Sequence, residues 1–254
     1  MPLYTADALI LRTYKLGEAD RIVVFLTRDR GKKRGVAKGA RRARSPFAGA
    51  LEPLTEARVA YFEKERRELV GLNFAEAIRS PLGLIGNTSE CRAKAEAGRA
   101  GTGHPAKVGP DARERPPEAG LDVDDDALGY VGYFAELLDE WAQEADADER
   151  LYRLGASMLQ ALAAGAPAEP LARYFEYWLL RLQGVYPEAR GTLSEAAMAF
   201  LAASRGLGPD RAGELPAERR VLKELEQVHR GLISLHLEKT LKSDRVLRDL
   251  RRHN

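Results

Sequence analysis

The chain has 254 residues, 44% of them hydrophobic, 7% aromatic and 31% charged, which is enough apolar material for one large domain or two small ones. Its composition excludes a membrane span of roughly 18 apolar residues, and its one cysteine, Cys91, excludes an internal disulfide framework and a thiolate-rich zinc site. The net charge of +2 hides a division: residues 1–72 hold 16 Lys+Arg against 9 Asp+Glu, so the remainder is net acidic. Met1-Pro2-Leu3-Tyr4 lacks the layout of a signal peptide. A cytoplasmic, reduced, metal-free protein is expected.

The first part reads as strands. Ala8-Leu9-Ile10-Leu11-Arg12-Thr13-Tyr14 and Ile22-Val23-Val24-Phe25-Leu26-Thr27 are apolar and rich in strand formers. A turn around Asp29 and Gly31 leads to a short strand through Val36-Ala37. Residues 54–62 alternate, with Ala57, Val59 and Tyr61 on one face and Glu56 and Arg58 on the other. A polar turn at Lys64-Glu65-Arg66 precedes a fifth run, Glu68-Leu69-Val70-Gly71-Leu72. Five short strands in about 75 residues suit a closed barrel, because closure removes exposed edges.

Residues 86–120 hold six glycines, four prolines and one large aliphatic residue, Val108. Such a stretch cannot offset its ordering entropy by burial, so a disordered linker or insertion is predicted. As a tether, it would be cut first by trypsin at Arg92, Lys94, Arg99, Lys107 or Arg113, leaving two folded pieces. Asp122, Asp124, Asp125 and Asp126 fail the calcium-loop pattern, since Ala127 and Tyr133 stand where a glycine and a closing glutamate are required. They read as helix-start charge.

The remainder reads as helices. Leu151, Leu154, Met158, Leu159 and Leu162 share a face, as do Leu171, Phe175, Trp178, Leu179 and Leu182. Residues 130–141 are apolar on two faces, as in a central helix. Pro216 opens a helix striped by Val221, Leu222, Leu225, Val228, Leu232 and Leu235. The expected class is therefore α+β, a five-stranded barrel over residues 1–80, a Gly/Pro/Arg-rich linker over 81–125 and a helical bundle over 126–254.

The main chemical feature is residues 28–44, with nine cations (Arg28, Arg30, Lys32, Lys33, Arg34, Lys38, Arg41, Arg42 and Arg44) against one acid, Asp29. Cationic loops on a small barrel suit a nucleic-acid backbone, whose condensed counterions they release. Tyr14, Phe25, Phe47 and Tyr61 are either stacking surfaces or barrel core. Signals for an enzyme are weak. Gly31, Gly35 and Gly39 match no phosphate-binding fingerprint. His104, His229, His236 and His253 are joined by no ligand set or nucleophile arrangement. A second basic region, Lys239, Lys242, Arg245, Arg248, Arg251 and Arg252, lies beside Leu241, Val246, Leu247 and Leu250. It is either a groove for an acidic peptide or an amphipathic last helix.

Ala8-Leu9-Ile10-Leu11-Arg12, Tyr14, Gly17-Glu18-Ala19-Asp20-Arg21, Phe25-Leu26-Thr27 and Gly31 carry a resemblance that extends over nearly the whole chain. Gly35-Val36-Ala37-Lys38-Gly39-Ala40-Arg41-Arg42, Ser45, Leu51-Glu52-Pro53-Leu54 and Glu76 add to it. So do Phe175-Glu176, Leu179-Leu180, Gly184-Val185-Tyr186-Pro187-Glu188 and Leu241-Lys242-Ser243 with Val246-Leu247. The sequence resembles the RecO recombination mediators of bacterial DNA repair. The resemblance implies an N-terminal OB-fold and a helical C-terminal domain. It implies binding of single- and double-stranded DNA, strand annealing, contact with RecR, and help in loading the RecA recombinase. That loading is onto DNA coated by single-stranded DNA-binding protein, whose acidic tail such proteins recognise. Many members carry four zinc-binding cysteines after the Tyr-Pro segment. This chain has none there and resembles a zinc-free branch. A non-enzymatic, nucleoid-associated repair mediator is expected. The alternatives are a general RNA- or DNA-binding OB-fold with a helical oligomerisation domain, and a helical scaffold whose basic barrel takes an acidic protein.

Overall fold

A computed structural model describes residues 2–47, 49–63, 68–81, 125–187, 193–216 and 218–253. Strands β1 (Leu3–Leu16), β2 (Asp20–Thr27), β3 (Gly31–Ala37), β4 (Glu56–Phe62) and β5 (Val70–Arg79) close into a barrel in the order β1-β2-β3-β5-β4. β1 serves two neighbours, pairing with β4 through Leu3 to Leu9 and with β2 through Ala8 to Leu16. A register shift between Ile10 and Arg12 bends it from one partner to the other. The pairing of β3 with β5 is parallel and only three residue pairs long.

The alternation read in residues 54–62 holds: Ala57, Val59 and Tyr61 are fully buried in the barrel with Ala8, Ile10, Val23 and Phe25. Phe47, Ala50 and Leu51, from the loop after β3, complete this core. Phe25, Phe47 and Tyr61 are thus packing residues, whereas Tyr14 is 45% exposed. Strands β3 and β5 run longer than the sequence suggested, because their exposed ends are polar and carry little period-2 signal.

The helices are α1 (Asp125–Trp141), α2 (Glu149–Ala163), α3 (Ala168–Leu182), α4 (Glu195–Gly206), α5 (Arg219–Leu237) and α6 (Lys242–His253), with a 3-10 segment, Pro209–Glu214, before α5. Helix α1 is central as expected: Tyr130, Phe134, Leu137, Leu138 and Trp141 are all buried. The α2 stripe is buried at every expected position. One stripe differs. In α5 the buried residues are Val221, Leu222, Leu225, His229 and Ile233, while Leu235 is 79% exposed. His229 takes a core position because polar partners await it there. Its Nδ1 lies 3.0 Å from Glu176 Oε2, and its Nε2 lies 3.3 Å from the Tyr186 hydroxyl. Arg173 and Tyr133 donate to the other Glu176 oxygen, both at 2.7 Å, completing a buried ionic cluster. Pro216 stands ahead of α5 and does not open it.

Barrel and helices share one core. Leu9, Leu11, Val24, Leu26 and Leu54 face outward from the barrel and join the helical cluster. Leu9 and Leu138 both reach over Gly155 of α2. The apolar run from Ala8 to Leu11 is unbroken because both of its faces are covered. At Gly31, where φ is +68°, an added Cβ would lie 2.1 Å from the Asp146 carbonyl oxygen. The α1–α2 connection comes this close because Lys32 exchanges backbone hydrogen bonds with it, Lys32 N to Gln143 O and Ala145 N to Lys32 O, each 3.1 Å. Residues 86–120, read as a linker, lie outside the described residues.

Candidate nucleic-acid interface

The nine cations of residues 28–44 divide into two groups. Those on the β2–β3 turn and on β3 are largely committed to neighbours. Arg28 donates to Glu149 Oε1 of α2 at 2.6 Å (Nη2) and 3.0 Å (Nε). Arg30 lies 4.1 Å over the Tyr4 ring and 3.7 Å from Asp29. Lys32 Nζ is half-buried against α1, 2.6 Å from the Asp139 carbonyl oxygen and 3.4 Å from its carboxylate. Lys33 pairs with Glu63 at 2.8 Å.

The second group is presented to solvent. Arg34, Lys38, Arg42 and Arg44 are exposed, and none of them forms an ion pair with the described residues. The loop carrying the last three is shaped rather than slack. Gly39 accepts a turn at φ +69°, its N–H donates to Asp20 Oδ1 at 2.8 Å, and its carbonyl takes the Arg42 N–H at 3.0 Å. Arg41 fastens the loop to the tip of the β1–β2 hairpin. Its Nη1 donates to the Glu18 carbonyl at 2.8 Å and its backbone N–H to the Ala19 carbonyl at 3.0 Å. The loop's exposed charges, Lys38, Arg42 and Arg44, are therefore held beside the β1–β2 hairpin by bonds that leave their own guanidinium and ammonium groups free for an anion.

Sequence reasoning missed the junction behind this surface. Arg12, directly after the apolar run from Ala8 to Leu11, donates to Asp139 at 2.8 Å, to Glu140 at 3.2 Å and to Glu136 at 3.3 Å, all on α1. Burial works against its charge, but Asp139, Tyr14 and Glu136 outweigh it and hold the guanidinium above its ordinary value. A charged residue directly following a run buried on both faces is the signal that marked it. Tyr152 of α2 donates to Glu56 at 3.1 Å across the same boundary. Burial, reinforced by that carboxylate, pushes the Tyr152 hydroxyl well above its ordinary value.

At the C-terminal end the expected peptide-binding cations also divide. Lys239 pairs with Glu140. The backbone N–H of Lys242 donates to Glu136 at 3.2 Å and that of Ser243 at 2.7 Å, so Glu136 caps α6 from the side of α1. The side chains of Lys242 and Arg245 are exposed, and that of Arg248 lies outside the described residues. Val246 is exposed between them, whereas Leu241 and Leu247 are buried, so this segment is an amphipathic helix with a cationic outer face. Among the described residues no group of three or more His, Cys, Asp or Glu could hold a metal ion, and the sequence has no four-cysteine set. The residues present do not fit the zinc site of cysteine-bearing relatives. Among the described residues no helix is long and apolar enough to cross a membrane.

Residues 1–81 match the family profile for the N-terminal part of recombination protein O, and residues 123–190 match the profile for its C-terminal part. A protein named DNA repair protein RecO from Koribacter versatilis is 33% identical over 186 residues, covering 73% of this chain and 61% of that protein. One of the same name from an Anaeromyxobacter species is 30% identical over 203 residues, 80% of this chain and 61% of its own length. A third, from Bifidobacterium adolescentis, is 53% identical over 85 residues, 34% of each chain. The chain thus spans less than two thirds of the length of these relatives. Barrel, helical bundle and both matched profiles agree: the chain belongs to the RecO family.

Proposed function

We propose that the chain is a non-enzymatic mediator of DNA repair and recombination that binds single- and double-stranded DNA and anneals complementary strands. The observation that carries this reading is the exposed group Arg34, Lys38, Arg42 and Arg44, set on a fastened loop and a strand of a small barrel. Cations so placed contact phosphates of either strand, release counterions and reduce the repulsion that opposes pairing, while base pairing itself supplies the sequence recognition. In this reading residues 1–80 are the DNA-binding unit and residues 126–254 the protein-binding one. Lys242 and Arg245, with Lys239 and Arg248 nearby in sequence, take the acidic tail of single-stranded DNA-binding protein. RecR is the partner in loading RecA onto coated DNA in the cytoplasm.

The test is annealing of complementary oligonucleotides, naked and coated with single-stranded DNA-binding protein. Faster pairing in both cases is expected, with the coated reaction abolished on replacing Lys242 and Arg245 by glutamate. Binding without acceleration of pairing, or a preference for RNA, would turn the reading to a general nucleic-acid-binding module.

A further inference from the structure

Past the Arg12 junction, the outer face of the β1–β2 hairpin turns apolar side chains to solvent. Tyr14 of β1 is in register with Ile22 of β2, and Ile22 with Val36 of β3. Residues in register share a face of the sheet. Val23 and Ala37, their neighbours along the strands, are buried inside the barrel, so Tyr14, Ile22 and Val36 form a row on the outside. Tyr14 is exposed, Ile22 and Val36 are half-buried, and Leu16, two residues on from Tyr14, is exposed on the same face. Among the described residues no aromatic ring and no cation lies over the Tyr14 ring. Its hydroxyl is within reach of the Arg12 guanidinium, a bond in the plane of the ring that leaves both faces open. Two cations border the row. Arg34, two residues before Val36 on the same face, is in register with Val24, and Lys38 follows Val36 by two. Both are exposed, and neither forms an ion pair with the described residues. The acids nearby are largely engaged. Asp20 Oδ1 accepts the Gly39 N–H, and Glu136, Asp139 and Glu140 hold Arg12, while Glu18 is exposed on the hairpin turn.

We infer that Tyr14 is the stacking platform for an unpaired base of a single strand whose phosphates lie on Arg34 and Lys38. This rests on the DNA-binding reading above and adds to it a basis for telling unpaired from paired DNA. An exposed aromatic ring flanked by unpaired cations suits an anionic chain with planar side groups. Neighbouring strands lie about 4.8 Å apart, so the backbones of Tyr14 and Val36 are separated by about 10 Å, a gap that the long side chains of Arg34 and Lys38 reach across. A base lying on the Tyr14 ring has the apolar Ile22 beside it, and its phosphate faces the cations of β3 and the loop that follows. A duplex keeps its bases inside the stack and reaches only the cations. The ring therefore adds binding energy for single strands alone, and the salt-dependent part is common to both forms.

The experiment compares the full chain with Tyr14→Ala and Tyr14→Phe in equilibrium binding of a labelled oligothymidine and a labelled duplex across a salt series. Tyr14→Ala is expected to weaken single-strand binding roughly tenfold, as removal of one base–aromatic stack does. Duplex affinity and both salt slopes are expected to hold. Tyr14→Phe, which keeps the ring and loses only the hydroxyl, is expected to rescue single-strand binding. Photo-crosslinking of the unmutated chain to an oligonucleotide carrying 5-iododeoxyuridine reads the site independently of whether a variant folds. A crosslink at Tyr14 from the single strand and not from the duplex is expected. Equal losses on both DNA forms, an unchanged single-strand affinity in Tyr14→Ala, no rescue by Tyr14→Phe, or crosslinks confined to other regions would overturn the platform. If those results came with DNA binding that still fell on removal of Arg42 and Arg44, only the platform would fail. An unmutated chain that bound neither DNA form would overturn the parent reading as well.

Discussion

At the scale of single residues, what decides the role of each cation in 28–44 is whether a carboxylate or carbonyl is already within reach. Lys32 has given up much of its hydration to α1 and donates to the Asp139 carbonyl, so a phosphate would have to displace partners that are already placed. Arg42 and Arg44 have kept their hydration and lose only mobile counterions on binding. Two variants separate these roles. Replacing Lys38, Arg42 and Arg44 with alanine should leave the melting temperature within a degree or two. It should lower the log–log salt slope of DNA binding by roughly 0.7 to 0.9 for each phosphate that is no longer neutralised. Lys32→Met should do the reverse, keeping the slope and lowering stability by about 1–3 kcal/mol through a broken charge-assisted bond. Thermal melts and filter binding over a salt series measure both, and a Lys32→Met variant with a reduced slope would return that residue to the DNA surface.

At the scale of elements, the barrel was legible where one face was buried and the other wet, as at Ala57, Val59 and Tyr61. It was legible in a different way where both faces were buried: the unbroken run from Ala8 to Leu11 records the helices outside as well as the core inside. What lay beyond the sequence was pairing between distant polar groups. His229 interrupts an apolar stripe and reads as an exception until Glu176 and Tyr186 are seen to meet it. The row of Tyr14, Ile22 and Val36 exists only through the register of three strands, which no local pattern encodes. The cap of α6 is of the same kind, since Glu136 lies more than a hundred residues before the amides it accepts.

That cap gives the last helix a pH dependence. Burial works against ionisation of Glu136, but the hydroxyl and amide of Ser243, the amide of Lys242 and the Arg12 guanidinium outweigh it and hold the carboxyl below its ordinary value. A carboxylate with a depressed folded-state pKa contributes stability above the ordinary carboxylate range and loses it as pH falls through that depressed value. The protection of the Lys242 and Ser243 amides against hydrogen exchange, taken relative to the intrinsic rate at each pH, should therefore fall on acidification in the unmutated chain. In Glu136→Gln that protection should already be low at neutral pH and change little. Equal protection in the two proteins at neutral pH would show that α6 is held by Leu241 and Leu247 alone.

At the scale of the whole molecule, the packing argues against two halves joined only by a tether. Leu9, Leu11, Val24, Leu26 and Leu54 belong to the barrel's strands and loop yet are buried in the helical core. Exposing a single side chain of this size costs about 1.5–3 kcal/mol, so separating the halves would cost several times that before any ion pair is counted. Around this apolar patch run Arg12 to Asp139, Lys32 to Asp139, Arg28 to Glu149 and Tyr152 to Glu56, which fix orientation and weaken in salt. Trypsin cutting within residues 86–120 was expected from sequence to yield two independent pieces. The shared core leads to a different outcome. A chain cut at a protease site inserted in that stretch should elute as one particle in gel filtration, and should still do so in 1 M salt, because the apolar patch is not screened. Residues 1–81 produced alone should aggregate or melt far below the intact chain, having exposed five large aliphatic side chains on one wall. Coated-strand annealing should survive the cut, since the barrel's cations and the C-terminal helix keep their mutual placement. A cut chain that separates into two soluble, folded fragments would restore the tether, and with it the view that the halves cooperate only through effective concentration.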